Sequence, residues 1–118
     1  MAGTPGNIRR RIKGKDELEA YNAIEQAWRV AIGKRLILLR LANGWTQAES
    51  ARQYLIPVSV LAQNEGGMFA PSIPYARTIK RITGATLDFI YDGDAGGLPQ
   101  VLVERLSKVP KGSKRPIS

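Results

Sequence analysis

Tyr21, Ile24, Trp28, Ile32, Leu36 and Leu39 recur at intervals of three and four residues. That spacing stacks them on one face of a helix and on neither face of a strand. The pattern predicts helix from Asp16 to Ala42, as one rod or as two segments with a break near Gly33. Asn43-Gly44 ends it, because both residues tolerate the left-handed conformation that closes a helix. No stretch of the chain alternates apolar and polar residues long enough to argue for a sheet. An all-α fold is expected.

The punctuation downstream divides the rest into short helices. Thr46-Gln47-Ala48-Glu49 is a capping box, in which the Thr46 hydroxyl accepts from the Glu49 amide and the Glu49 carboxylate reaches back to the Thr46 amide. A helix is predicted over about 47–54. Proline at a helix start loses no hydrogen bond, so a second begins near Pro57 and runs to about Glu65, where Gly66-Gly67 stops it. A further helix occupies about 73–83 and ends at Gly84; Thr86 caps a short one through Tyr91. Leu98, Leu102 and Leu106 suggest one more turn or two.

Composition removes much of the known repertoire of chemistry. The 118 residues include no Cys and no His, so disulfides, thiolate metal sites, imidazole zinc ligands and triads of the Ser-His-Asp or Cys-His kind are all excluded. The carboxylates, hydroxyls and lysines that remain form no convincing cluster, and neither enzyme activity nor a cofactor or metal is expected. Asp92-Gly93-Asp94 has the first two acids of a calcium loop but lacks the third acid and the closing Glu. It reads as a turn after a helix. The longest apolar run, Leu36–Leu39, is four residues before Arg40 interrupts it, against about 20 needed to cross a bilayer. No apolar stretch follows the basic N-terminus, and a cytoplasmic protein without membrane attachment is the expectation.

The net charge of +8 is not spread evenly. Residues 1–15 contribute +5 without an acid, as do residues 105–118, whereas residues 16–104 carry 8 bases against 10 acids. Both basic ends contain Gly, Pro and Ser and can bury little. They are either solvated tails or arms that follow a phosphate backbone, Arg9, Arg10 and Arg11 being the densest run.

Two short helices joined by a tight turn, the first capped and opening on Gln, read as a helix-turn-helix. From Ile32 to about Leu106 the chain resembles the Xre-like family of helix-turn-helix transcriptional regulators, the phage repressor and Cro-like proteins. Ile32-Gly33-Lys34-Arg35-Leu36 with Leu39-Arg40 is similar to the family's opening helix. Gly44-Trp45-Thr46-Gln47-Ala48-Glu49 with Ala51 resembles the start of its second. Leu61 and Glu65 fall where the family places a core apolar residue and a closing acid. Gly84-Ala85-Thr86-Leu87-Asp88-Phe89-Ile90-Tyr91-Asp92-Gly93-Asp94, followed by Gly97-Leu98-Pro99, resembles a branch common in alphaproteobacteria and their phages. The chain departs from the family pattern at Leu55, where the turn usually has Gly, at Asn64, where an apolar or aromatic residue is usual, and at Ser50.

The resemblance implies a five-helix, lambda-repressor-like helix-turn-helix domain over residues 32–94. Around it lie a basic arm (1–15), a helical extension (16–31), a C-terminal helical segment (95–107) and a basic tail (108–118). It further implies that Gln47 donates to a phosphate oxygen of double-stranded DNA, and that Arg40 and Glu65 form a structural ion pair. Val58, Ser59, Ala62 and Gln63 would face the major groove. Gln63 could offer adenine a paired donor and acceptor, Ser59 suits either base type, and Val58 could touch a thymine methyl. Gln63 and Asn64 are either base contacts or an ordinary solvated edge. Trp28 and Trp45 read as core anchors rather than stacking platforms. A homodimer is expected because one such module contacts few bases; Phe89, Ile90, Leu98, Val101 and Leu102 suit its interface or the monomer's own core. The competing function is a protein-interaction module on the same fold, such as an antirepressor, an antitoxin-like partner or a polymerase-binding factor. The near-neutral body and a third helix uncharged before Glu65 favour it, while the basic tails and Gln47 favour DNA.

Overall fold

The computed structural model describes residues 14–110. Within them lie six helices and no strand: α1 (Lys15–Ala42), α2 (Gln47–Tyr54), α3 (Val58–Glu65), α4 (Ile73–Thr83), α5 (Leu87–Asp92) and α6 (Gln100–Ser107). No described helix is long and apolar enough to cross a membrane.

The expected caps are in place. Thr46 and Glu49 form both bonds of the capping box, and the Thr86 hydroxyl accepts from the Phe89 amide. Gly84 and Gly93 close α4 and α5 with φ of 84° and 76°. Gly93 belongs to the segment Asp92-Gly93-Asp94, which is therefore the turn expected of it. Ser72 caps α4, accepting from the Tyr75 amide, with Pro74 in the first turn.

Of the two forms open for the first segment, the chain takes the single 28-residue rod. Gly33 does not break it. A β-carbon there would lie 2.4 Å from the Glu65 carbonyl oxygen and 2.8 Å from that of Asn64. The missing side chain lets the C-terminus of α3 cross directly over α1. The helical extension is thus continuous with the first helix of the domain.

The core lies on the C-terminal half of this rod. Ile32, Leu36 and Leu39 pack with Tyr54, Ile56, Leu61, Ile79, Phe89, Ile90 and Leu102. Helix α1 meets α3, α5 and α6; α2 meets α3 and α4; α4 meets α5. Half of the predicted apolar face is not covered in this way. Ile24 is 69% exposed and Trp28 37%, although both continue the stripe that Ile32 and Leu36 bury.

Trp28 is consequently no core anchor. Its ring stacks on Tyr91 with centroids 6.2 Å apart, and its Nε1 donates to the Tyr91 carbonyl at 2.7 Å. Arg35 donates to the Ile90 and Tyr91 carbonyls. Two side chains of α1 therefore satisfy acceptors that the last turn of α5 leaves open, and Arg35 brings its charge to the negative end of that helix dipole. Trp45 does flank the core, packed edge-on against Tyr54.

Candidate functional site

Helix α3 has two chemically different faces. Leu61, Asn64 and Glu65 are buried, whereas Val58, Ser59 and Gln63 are exposed and Ala62 is half-covered. Successive residues turn by about 100° in a helix, so 58, 59, 62 and 63 share one side and 61, 64 and 65 the other. Four of the five base-reading candidates on α3 thus stand together on solvent.

The fifth is corrected. Asn64 is 2% exposed, and its Nδ2 donates to the Phe69 carbonyl at 3.0 Å, tying down the loop that leaves α3. It lies three residues after Leu61, on the inward side. An amide held there cannot touch a base without unwinding the helix end. Ser50, the other polar residue at a usually apolar place, is also buried and returns its hydroxyl to the Thr46 carbonyl.

A hydrogen-bonded cluster fixes α3 against the rest. Arg40 and Glu65 are both buried and meet in a bidentate pair, Nε to Oε2 and Nη2 to Oε1, each at 2.9 Å. Fork-to-carboxylate geometry of this kind fixes direction as well as distance. Arg40 Nη1 also donates to the Trp45 carbonyl at 3.3 Å. Gln47 Nε2 completes the set by donating to Glu65 Oε1 at 2.9 Å. One carboxylate therefore binds the end of α1, the start of α2 and the end of α3. Burial, and after it the nearby Glu65 charge, raise the Tyr54 hydroxyl pKa against a smaller lowering by Arg40. Hydrogen bonds from the Thr46 amide and hydroxyl hold the Glu49 carboxyl below its ordinary range.

Gln47 accordingly has a structural bond beyond the phosphate contact expected of it from the resemblance. It sits half-buried in the first turn of α2, where a helix dipole favours an anion. Arg9, Arg10 and Arg11 lie outside the described residues.

The turn between α2 and α3 is tighter than a side chain prefers. Leu55 has φ 59° and ψ 42°, and it is the only described non-glycine residue with positive φ. Ile56 donates back to the Ala51 carbonyl at 3.0 Å and buries its side chain, while that of Leu55 is 74% exposed. Leu55 and Val58 thereby border an open depression shared with Ala48, Arg52 and Pro57. Sequence reading did not single out Arg52 or this depression; an apolar residue at a turn position was the available signal.

Comparison with known protein families, with curated proteins and with solved structures returns no significant match. Among the described residues no three acidic side chains gather as a metal site would require. Of the apolar residues considered for a dimer contact, Phe89, Ile90 and Leu102 are consumed by the core. Leu98 packs against it, and Val101 remains exposed. The short C-terminal helix, α6, buries Leu102 and packs Leu106 against the core beside α1, while Val101 and Val103 stay exposed.

Proposed function

We propose that the chain is a sequence-specific double-stranded-DNA-binding transcriptional regulator on a lambda-repressor-like helix-turn-helix domain. In this reading α2 and α3 are the paired helices, and α3 lies in the major groove. The observation that carries it is the separation of α3 into a solvent face of Val58, Ser59, Ala62 and Gln63 and a buried face clamped by Glu65. A helix that reads base edges must project small and polar side chains from a rigid mount. The Arg40–Glu65–Gln47 cluster supplies that mount. The resemblance to Xre-like regulators and the basic ends of the chain support the same reading, which also implies a homodimer in the cytoplasm.

One observation favours a second reading. Leu55 and Val58 expose apolar surface beside α3, which suits a protein partner on the same scaffold.

Selection of bound sites from random duplex DNA separates the two. The DNA reading expects an enriched sequence with two-fold symmetry. Gln63→Ala should then lose about 1–3 kcal/mol on that site and relax the choice at one base pair per half-site. Fold stability should hold, because an exposed helical Gln tolerates Ala. Absence of any DNA binding by the intact chain would refute this reading and leave the protein-partner one.

A further inference from the structure

Asn64 is the buried polar residue of α3 that the Arg40–Glu65–Gln47 cluster does not use. Its Nδ2 donates to the Phe69 carbonyl, while its Oδ1 is buried with no hydrogen-bond partner among the described residues. An unpaired buried acceptor is unfavourable, and an apolar side chain of similar volume would fill the same place without it. Asn64 is therefore a poor choice for the core. Its contribution is the hold on Phe69.

The loop that it holds is fixed at other points as well. Gly67, at φ 80°, closes α3 with its amide on the Asn64 carbonyl and the Met68 amide on the Gln63 carbonyl, at 3.2 and 3.0 Å. These paired bonds turn a chain back over the last helical turn. A β-carbon on Gly67 would lie 2.8 Å from Val30 Cγ2, so the loop also rests against α1. Further on, the Tyr91 hydroxyl donates to the Pro71 carbonyl at 2.8 Å. Between these holds Met68 and Phe69 are exposed. The Met68 backbone lies beside Gln63, where the solvent face of α3 ends. From Gln53 to Ala76 the one charged residue is Glu65, which is buried against Arg40. This surface therefore offers apolar contact and neutral hydrogen bonds, with no charge for a phosphate.

We propose that Asn64 is a positioning residue for base reading: it fixes the loop after α3 so that Met68 and Phe69 extend the reading surface beyond Gln63, onto the thymine methyl of neighbouring A·T pairs. The inference rests on the DNA reading above and deepens it. Apolar side chains have no hydrogen bond to exchange with a G·C edge, and the thymine methyl is the apolar group that the major groove presents. Such a contact discriminates only when its backbone is held to about half an ångström. That is the work of the Asn64 amide.

The test is selection of bound sites from random duplex DNA by the full chain and its variants. Affinities for the selected site and for random duplex are measured beside urea unfolding midpoints. The parent's sites should prefer A·T pairs flanking the pair read by Gln63. Met68→Ser with Phe69→Ser, both on the surface, should remove that preference. Affinity for the selected site should fall about five- to tenfold, with random duplex bound as before. Asn64→Leu should cause the same loss with an unfolding midpoint no lower than the parent's, which a residue serving the fold alone would not do. Adding Asn64→Leu to the doubly substituted chain should lower affinity no further, since all three act through one loop. Unchanged selectivity on substituting Met68 and Phe69 would overturn the proposal, as would flanking pairs that favour G·C or show no preference. So would a lower midpoint in Asn64→Leu that accounts for its lost affinity, or losses that add in the triple variant. Each of these outcomes leaves the DNA reading standing, because each requires a selected site. A parent chain that binds no duplex overturns both.

Discussion

Arg40 and Glu65 show how a buried charge pair depends on completeness. Removing both partners from water costs several kcal/mol per ion, offset by the bidentate contact and by the further bonds to Trp45 and Gln47. Deleting one partner leaves the other buried alone. Arg40→Ala and Glu65→Ala should each lose about 3–5 kcal/mol in urea unfolding. The double variant should lose clearly less than their sum, and additive losses would refute the coupling. Gln47→Ala should lower stability as well as affinity for all DNA sequences, because the same side chain donates to Glu65. Leu55 presents the opposite case, a residue whose own conformation is the cost. Left-handed backbone costs a side chain about 1–2 kcal/mol, and Leu55 recovers little by burial because it is mostly exposed. Part of the gain from Gly is returned through its larger unfolded-state freedom. Leu55→Gly should therefore raise stability by about 0.5–1 kcal/mol in the same assay. A loss would show that Leu55 makes a contact that outweighs its strain.

Helix α1 joins two different environments in one element. Its C-terminal half is a core helix; its N-terminal half lies in solvent apart from half-buried Tyr21 and Glu25 up to Trp28. Gly33 marks where the first begins, and it is there for α3 rather than for flexibility. In a free helix, Ala in place of Gly would add about 1 kcal/mol of stability. Here the added methyl meets two backbone carbonyls at under 3 Å, and backbone cannot swing aside as a long side chain can. Gly33→Ala should lose about 1–3 kcal/mol. It should also weaken DNA binding beyond what the fraction unfolded explains, because α3 must shift to make room. Thermal unfolding and affinity measured on the same samples distinguish the two losses. Greater stability with intact binding would contradict the close crossing.

Across the whole molecule, charge and structure are segregated. The described body is close to neutral while the excess of +8 falls on the two ends of the chain. Under the proposed function such an arrangement would divide the work on DNA, the ends contributing affinity through phosphates and α3 the choice of bases. Deleting residues 1–14 and 108–118 should weaken binding to every duplex about equally. The log–log dependence on salt should become shallower by roughly 0.9 for each phosphate that is no longer neutralised. Sequence preference should survive. Filter or fluorescence titrations at several salt concentrations provide the check, and an unaltered slope would make the ends idle.

Helix starts and stops were legible residue by residue. Thr46 with Glu49, Thr86, Gly84 and Asn43-Gly44 act on amides and carbonyls within four positions of themselves, so neighbouring letters suffice to place them. The pairing of Arg40 with Glu65 was reachable through resemblance alone, since 25 residues separate the partners. Other features were decided by which parts of the chain return to which. Tyr21, Ile24 and Trp28 carry the same periodicity as Ile32, Leu36 and Leu39, yet only the second set is buried in the core, and Trp28 meets α5 only at its edge, on Tyr91. Asn64 looks like a surface residue until the α3 crossing turns it inward against Phe69. Gln47 looks free to meet a phosphate until Glu65 arrives beside it. Gly33 reads equally well as a hinge or as a gap for a neighbouring backbone. Periodicity specifies that a face exists; burying it requires a second surface, and the placement of that surface follows from packing between segments distant along the chain.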